Sequence, residues 1–166
     1  FEIPDSDWLR LFAVNVLSGV RFARRYGQGM AKRGWGRVIF VSSESALNVP
    51  REMIHYGMTK TAQLTIARGL AMELAGTGVT VNSLLPGPTR TENTERLRAV
   101  RAKAANMTVA ELEKDFFVSF RPTSLLKRFT SAEEVANLAV YLCSPLACAT
   151  NGAAVRADGG VVNQIM

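Results

Sequence analysis

Two short runs, RVIFVSS at 37–43 and VTVNSLL at 79–85, constrain the fold more than anything else in the chain. Neither alternates apolar with polar residues as a half-exposed strand does, so a strand built from either has two faces to keep from water. A parallel sheet covered by helices on both sides meets that condition. Between the two runs, apolar residues recur at helical spacing from Ile54 to about Leu74, with Ala62, Ala67, Gly69 and Ala71 small enough for close packing. Gly76-Thr77-Gly78 ends this helix. Strand, helix, strand in that order predicts a βαβ unit with a right-handed crossover, and hence an α/β fold.

The flanking segments extend the pattern. Asp5-Ser6-Asp7 offers capping oxygens, after which Trp8, Leu11, Phe12, Val14, Leu17 and Val20 predict a long amphipathic helix to about Tyr26, closed off by Gly34-Trp35-Gly36. Pro86-Gly87-Pro88 stops the second strand, and its tight turn would let backbone approach a ligand closely. Residues 92–128 read as helices and loops with a capping box at Thr108 and Glu111. A second box at Ser131 and Glu134 opens a helix to about Cys143. GAAVRADGG at 152–160 predicts a last short strand and a glycine turn. With 166 residues, 48% of them hydrophobic, one domain with its own core is expected over 1–166.

The formal charge of +6 raises the question of a nucleic-acid or membrane partner. From Arg90 to Arg128 there are nine Lys/Arg against five Asp/Glu, a surplus of four within that one segment. It lacks the basic run and interleaved aromatics of a nucleic-acid groove, so neither nucleic acid nor membrane is expected. The basic segment reads as a solvated helical face, or as a surface that guides an acidic substrate or carrier. Cys143 and Cys148 are too few for a disulfide framework or a zinc site, and are expected to be core or near-core thiols in a reducing compartment. No metal site is predicted. The longest apolar runs fall well short of the roughly 20 residues that span a bilayer, and the expectation is a soluble, cytoplasmic protein.

The chemistry concentrates in HYGMTK at 55–60. Tyr56 and Lys60, four residues apart on one helix face, address the same small volume. A phenol with an ordinary pKa near 10 is a poor acid–base group at neutral pH, and an adjacent ammonium favours its phenolate. Ser43 ends the preceding strand, at the carboxyl edge where open α/β sheets bind ligands, and its hydroxyl can hydrogen-bond a carbonyl beside the phenol. Ser42 and Ser45 compete with Ser43 and read instead as capping or surface hydroxyls. His55 points in a different direction from its neighbour. Asn82 and Asp158 suit turn-fixing bonds to backbone.

In order and spacing, NVLSGV at 15–20, GRVIFVSS at 36–43, YGMTK at 56–60, VNSLLPGPTRT at 81–91 and ADGG at 157–160 resemble the short-chain dehydrogenase/reductases, with the 3-oxoacyl carrier-protein reductase branch nearest in pattern. The resemblance covers essentially the whole chain. It implies a Rossmann-like doubly wound parallel sheet, here the C-terminal portion with the last three strands and their helices. It also implies an NAD(P)-dependent oxidoreductase interconverting a carbonyl and a secondary alcohol. Tyr56 would then be the acid/base, and Ser43 would orient the carbonyl. Lys60 would bind nicotinamide ribose hydroxyls and lower the Tyr56 pKa, and Asn15 would hold a water linking Lys60 to solvent. Tyr56, Lys60, Pro86, Gly87, Thr89 and Thr91 match cofactor-binding positions. The expected cofactor is NADP or NAD, with NADP favoured, and the substrate is a small carbonyl or alcohol, an acyl thioester among the candidates. The long helices near 7–26 and 54–74 resemble those through which family members form homotetramers.

The family's opening strand and its Thr-Gly-x-x-x-Gly-x-Gly turn have no counterpart before the first helix, so Phe1 is expected not to be the natural start. Two alternatives stand beside reduction: a non-catalytic fragment unable to bind cofactor, and an epimerase or dehydratase on the same scaffold. Residues 92–128 correspond to the family's variable substrate-binding lid, in which Phe116, Phe117 and Phe120 either cover an apolar ligand or pack the lid on the core.

Overall fold

The computed structural model describes residues 2–165; Phe1 and Met166 lie outside them. Three parallel strands, β1 (Gly36–Val41), β2 (Val79–Pro86) and β3 (Ala154–Ala157), form a sheet in the order β1-β2-β3. Gly36 pairs with Val79 and Val41 with Leu84, so β1 and β2 end at one edge, where Pro86 pairs with Ala157. β2 is buried from Val79 to Leu85, as two apolar faces require. Three further helices matter to the sheet: α2 (Ser18–Lys32), α3 (Ile54–Glu73) and α6 (Ala132–Cys143). Val38 and Phe40 join Val81 in a core with Ala67 and Ala71 of α3 and Ala23 of α2. Arg37, on the alternate face of the pleat, donates to the Ser144 carbonyl behind α6, which packs on all three strands. Helices therefore cover both faces of the sheet, the doubly wound arrangement of a Rossmann fold.

The first helix differs from expectation at both ends and in the middle. It starts at α1 (Asp5–Leu11), whose N-cap is Pro4 with no side-chain cap; Asp5 and Asp7 sit in the first turn, where they complement the helix dipole. It continues through a π-helical turn (Phe12–Leu17) into α2 and ends at Lys32, beyond Tyr26. The cysteines also depart from expectation: Cys143 closes α6, Cys148 follows the short turn at Pro145–Ala147, and both are exposed.

Residues 92–128 hold α4 (Glu92–Ala104) and α5 (Val109–Ser119). Reciprocal capping boxes open α5 at Thr108 and Glu111, and α6 at Ser131 and Glu134. A third, unexpected box joins Thr91 to Thr94 at the start of α4. Much of the basic surplus is spent in ion pairs: Arg90 and Arg98 meet Glu113, Arg98 also meets Glu95, and Arg128 meets Glu134.

Arg128 and the Ser131 amide hold the Glu134 carboxyl down at about 2. A carboxylate depressed in the folded state contributes stability above its unfolded pKa and loses it as pH falls toward the folded one. Glu134→Gln is expected to lower the urea midpoint at neutral pH, with the gap to wild type narrowing steadily from about pH 5 toward pH 2. A gap independent of pH would show that the cap contributes without its charge.

Candidate active site

Ser43 leaves β1 in an extended conformation and caps a short turn at Glu44–Ala46. The Ser45 amide donates to the Ser43 Oγ at 3.1 Å, which fixes the oxygen and leaves the hydroxyl proton free to be donated elsewhere. This turn lies against the start of α3 because residue 57 is glycine: a Cβ there would stand 2.7 Å from Val49 Cγ1 and 3.2 Å from the Ser45 carbonyl oxygen. Thr61 Oγ1 donates to the Ala46 carbonyl, at 2.9 Å, and closes the same contact.

Two bonds of opposite sense join the end of β1 to α3 at Lys60. Ser42 Oγ donates to the Lys60 carbonyl at 2.8 Å, and the Lys60 ammonium donates to the Val41 carbonyl at 3.0 Å. The ammonium also lies 5.5 Å from the Tyr56 ring centroid. Ser42 and Ser45 are both buried, which corrects their reading as capping or surface hydroxyls; Ser42 holds α3 and Ser45 Oγ donates to Glu44.

Asn15 reaches the same helix from the π-helical turn. Its side-chain amide donates to Thr59 Oγ1 at 3.0 Å, and Thr59 Oγ1 donates to the Tyr56 carbonyl at 2.8 Å. Its own carbonyl accepts Gln63 Nε2 at 2.6 Å. A π turn displaces backbone groups from the ordinary ladder, which is how a mid-helix carbonyl becomes available to a side chain of another helix. Tyr56, Thr59, Lys60 and Gln63, at i, i+3, i+4 and i+7, thus form one polar stripe on α3. Thr59 and Gln63 were not singled out by sequence, although that spacing was the signal that could have found them.

Burial pushes the Tyr56 phenol above its ordinary pKa; the Ser43 hydroxyl opposes this and the charge of Glu44 adds to it. Burial pushes the Lys60 ammonium down. The ammonium at the ring face therefore leaves Tyr56 protonated at neutral pH in this arrangement, contrary to a phenol brought down toward neutrality.

The loop after β2 places Pro86 and Gly87 at the same sheet edge. Gly87 is required by the chain itself, since a Cβ would stand 2.4 Å from the Asp158 carbonyl oxygen, and its amide donates to Ala157. Thr89 Oγ1 bonds the Gly87 carbonyl and lies 3.1 Å from Thr130 Oγ1, while Thr91 caps α4. As expected, Asn82 and Asp158 bind backbone: Asn82 bridges Thr150 and Ala153, and Asp158 accepts from the Gly160 and Val162 amides. His55 packs against Trp8, with the ring centroids 5.8 Å apart and the rings tilted by 58°. Phe117 is buried against Phe116 and Phe129, whereas Phe116, Phe120 and Phe129 also line a hollow of about 330 Å³ between α4 and α5. Among the described residues there is no cluster of three or more His, Cys, Asp or Glu able to hold a metal, and no helix long and apolar enough to cross a membrane.

A Rossmann-type sheet with serine, tyrosine and lysine gathered at the carboxyl edge is the arrangement that the resemblance to the short-chain dehydrogenase/reductases implies. Family comparison agrees, with a model described as Enoyl-(Acyl carrier protein) reductase matching residues 1–162. The chain belongs to the short-chain dehydrogenase/reductase family. It is 48% identical over 165 residues to the uncharacterized oxidoreductase YvaG of Bacillus subtilis, covering 99% of this chain and 62% of that one. It is 32% identical to D-beta-hydroxybutyrate dehydrogenase of Rhizobium meliloti over 96% of this chain and 60% of the relative. L-sorbose reductase from Gluconobacter frateurii, solved with NADPH and L-sorbose, superposes with a TM-score of 0.91 at 29% identity, over 99% of this chain and 61% of that one. The chain thus spans about three-fifths of the length of these relatives.

A Tyr56 phenolate that titrates above pH 10 is expected from the absorbance difference between wild type and Tyr56→Phe. Ser43→Ala should move that midpoint higher still, because it removes a hydroxyl that pulls the phenol down. An unchanged midpoint in Ser43→Ala would place the serine outside the phenol's environment.

Proposed function

We propose that the protein is an NAD(P)-dependent oxidoreductase that interconverts a small carbonyl compound and its secondary alcohol, with Tyr56 as the proton donor and acceptor. The observation that carries this reading is the convergence of the free Ser43 hydroxyl proton, the Tyr56 phenol and the Lys60 ammonium at one sheet edge, with Asn15 tied to the same stripe through Thr59.

The residues fit a nicotinamide cofactor. Lys60 makes one hydrogen bond, to a main-chain carbonyl, and an ammonium has three donors, so ribose hydroxyls can be bound without breaking an ion pair. Pro86, Gly87, Thr89 and Thr91 form the rim on which the rest of the cofactor would lie. When bound, the cofactor supplies or accepts the hydride at the carbonyl carbon. Ser43 donates to the substrate oxygen and orients it. The Tyr56 phenol gives its proton to that oxygen as the C–O double bond becomes single, and in the reverse direction takes it back. Lys60 stabilises the phenolate that remains, and Asn15 lies along the route by which the proton is replaced from solvent. NADP is the proposed form, supported by the NADPH-bound sugar reductase of the same fold. Residues 92–128 form the lid, with the aromatic hollow between α4 and α5 suited to an apolar portion of the substrate. Helices α1, α2 and α3 carry the surface for a homotetramer in the cytoplasm.

A phenol that is protonated at neutral pH is ready to act as an acid. Reduction should therefore be level around neutrality and fall as pH rises through the phenol's pKa, whereas alcohol oxidation, which needs phenolate, should rise over the same range. NADPH consumption over a panel of ketones, 3-oxoacyl thioesters among them, should show turnover that Tyr56→Phe reduces by about 10²–10⁴-fold while NADPH binding persists. Turnover unchanged in Tyr56→Phe would refute the assignment. Turnover without net change in nicotinamide absorbance would favour the epimerase or dehydratase alternative.

A further inference from the structure

Glu44 stands next to Ser43, is 3% exposed, and plays no part in the chemistry described above. Three donors converge on its Oε1: Arg121 Nη2 at 2.9 Å, Arg121 Nε at 3.0 Å and Ser45 Oγ at 3.3 Å. Its Oε2 is buried with no partner among the described residues. A buried carboxylate satisfied through one oxygen is an expensive way to gain stability, and such pairs are better explained by what they hold in place.

What this pair holds is specific. Arg121 lies 77 residues from Glu44, just beyond α5, with its amide on the Phe116 carbonyl and its own carbonyl accepting the Ser124 amide. Ser124 Oγ and the Leu125 amide then bond the Gly159 carbonyl, in the turn after β3. Glu44 is thus the point where the turn after β1, the segment after α5 and the turn after β3 meet. The charged and titratable groups that face it are Arg121, Asp158 and Tyr56. The last of these is the proposed acid.

We propose that Glu44 and Arg121 are a positioning pair, through which the 92–128 segment fixes the turn that carries Ser43 beside Tyr56. Neither residue touches the reacting atoms. Arg121 holds the Glu44 side chain, Glu44 holds the Ser43–Ser45 turn, and the carboxylate's charge reaches the phenol. Placement of the substrate-covering segment is thereby read at the catalytic serine. The inference rests on the assignment of Ser43 and Tyr56 above. Its test needs no turnover, so a pair that behaves as stated in a protein without reductase activity would sink that assignment alone.

The experiment is amide hydrogen exchange over 44–50, with β2 as the internal reference, together with the Tyr56 phenolate titration, in the full-length protein. In Arg121→Gln the protection of 44–50 should fall about tenfold or more while β2 keeps its own. In Glu44→Gln, which keeps the shape and removes the charge, the Tyr56 midpoint should move to lower pH, because a repelling carboxylate is lost and Arg121 remains. Arg121→Lys should restore part of the protection. If Arg121→Gln does not fold, the double variant Glu44→Gln/Arg121→Gln, which leaves no lone buried charge, should show the same loss of protection over 44–50. Unchanged protection and an unchanged midpoint would overturn the proposal, as would equal loss of protection in β2, which marks a merely global effect.

Discussion

The end of β1 is clamped to α3 on both sides of one residue, and the site depends on that clamp. Ser42 binds the main chain of Lys60 and the Lys60 ammonium binds the main chain of Val41, so strand and helix cannot slide without breaking both. The clamp fixes where Tyr56 sits relative to Ser43, thirteen residues earlier. It also explains why the apolar strand matters to chemistry: a two-faced strand held in the register Val41–Leu84 has one place for its final serines, at the carboxyl edge.

Around this clamp the chain uses contacts that tolerate little change. Gly57 admits the turn after β1 to the surface of α3, and Gly87 admits the backbone of Asp158 beside the end of β2. Both glycines serve the approach of protein to protein. Polar groups are arranged in the same spirit: Gln63 donates to the Asn15 main-chain carbonyl where a π turn has loosened the ladder, the Asn15 side chain donates to Thr59, and Thr59 relays the contact to the Tyr56 carbonyl. The result is a phenol that burial keeps protonated and a lysine that burial inclines to give up its charge, poised on opposite sides of their ordinary values.

Strands and main helices were legible in the amino-acid sequence because their signals are local and redundant. β1 and β2 announce themselves by two apolar faces, α3 by its period and closing glycines, and α5 and α6 by capping boxes. Tyr56, Lys60 and Ser43 were legible through spacing along these elements. The π turn was not, since Phe12–Leu17 has no proline or glycine to mark a loosened ladder and its cause is tertiary. The extension of α2 to Lys32 was missed because Gly27 and Gly29 lower helix propensity without ending a packed helix. Cys143 and Cys148 were placed inward by residue type alone, although the end of α6 and the turn behind it are exposed. The partnership of Glu44 with Arg121 lies 77 residues apart, and local pattern carries no trace of it.

The proposed chemistry turns on a Lys60 ammonium that has donors to spare for a cofactor beside a protonated Tyr56. A crystal structure of the full-length protein with NADPH tests it most directly. The Lys60 ammonium should lie on the nicotinamide ribose hydroxyls and the nicotinamide ring over the space between Ser43 and Tyr56, with both of those side chains close to where they stand here. A bound NADPH with the Lys60 ammonium off the ribose hydroxyls and the nicotinamide ring remote from Tyr56 would contradict it.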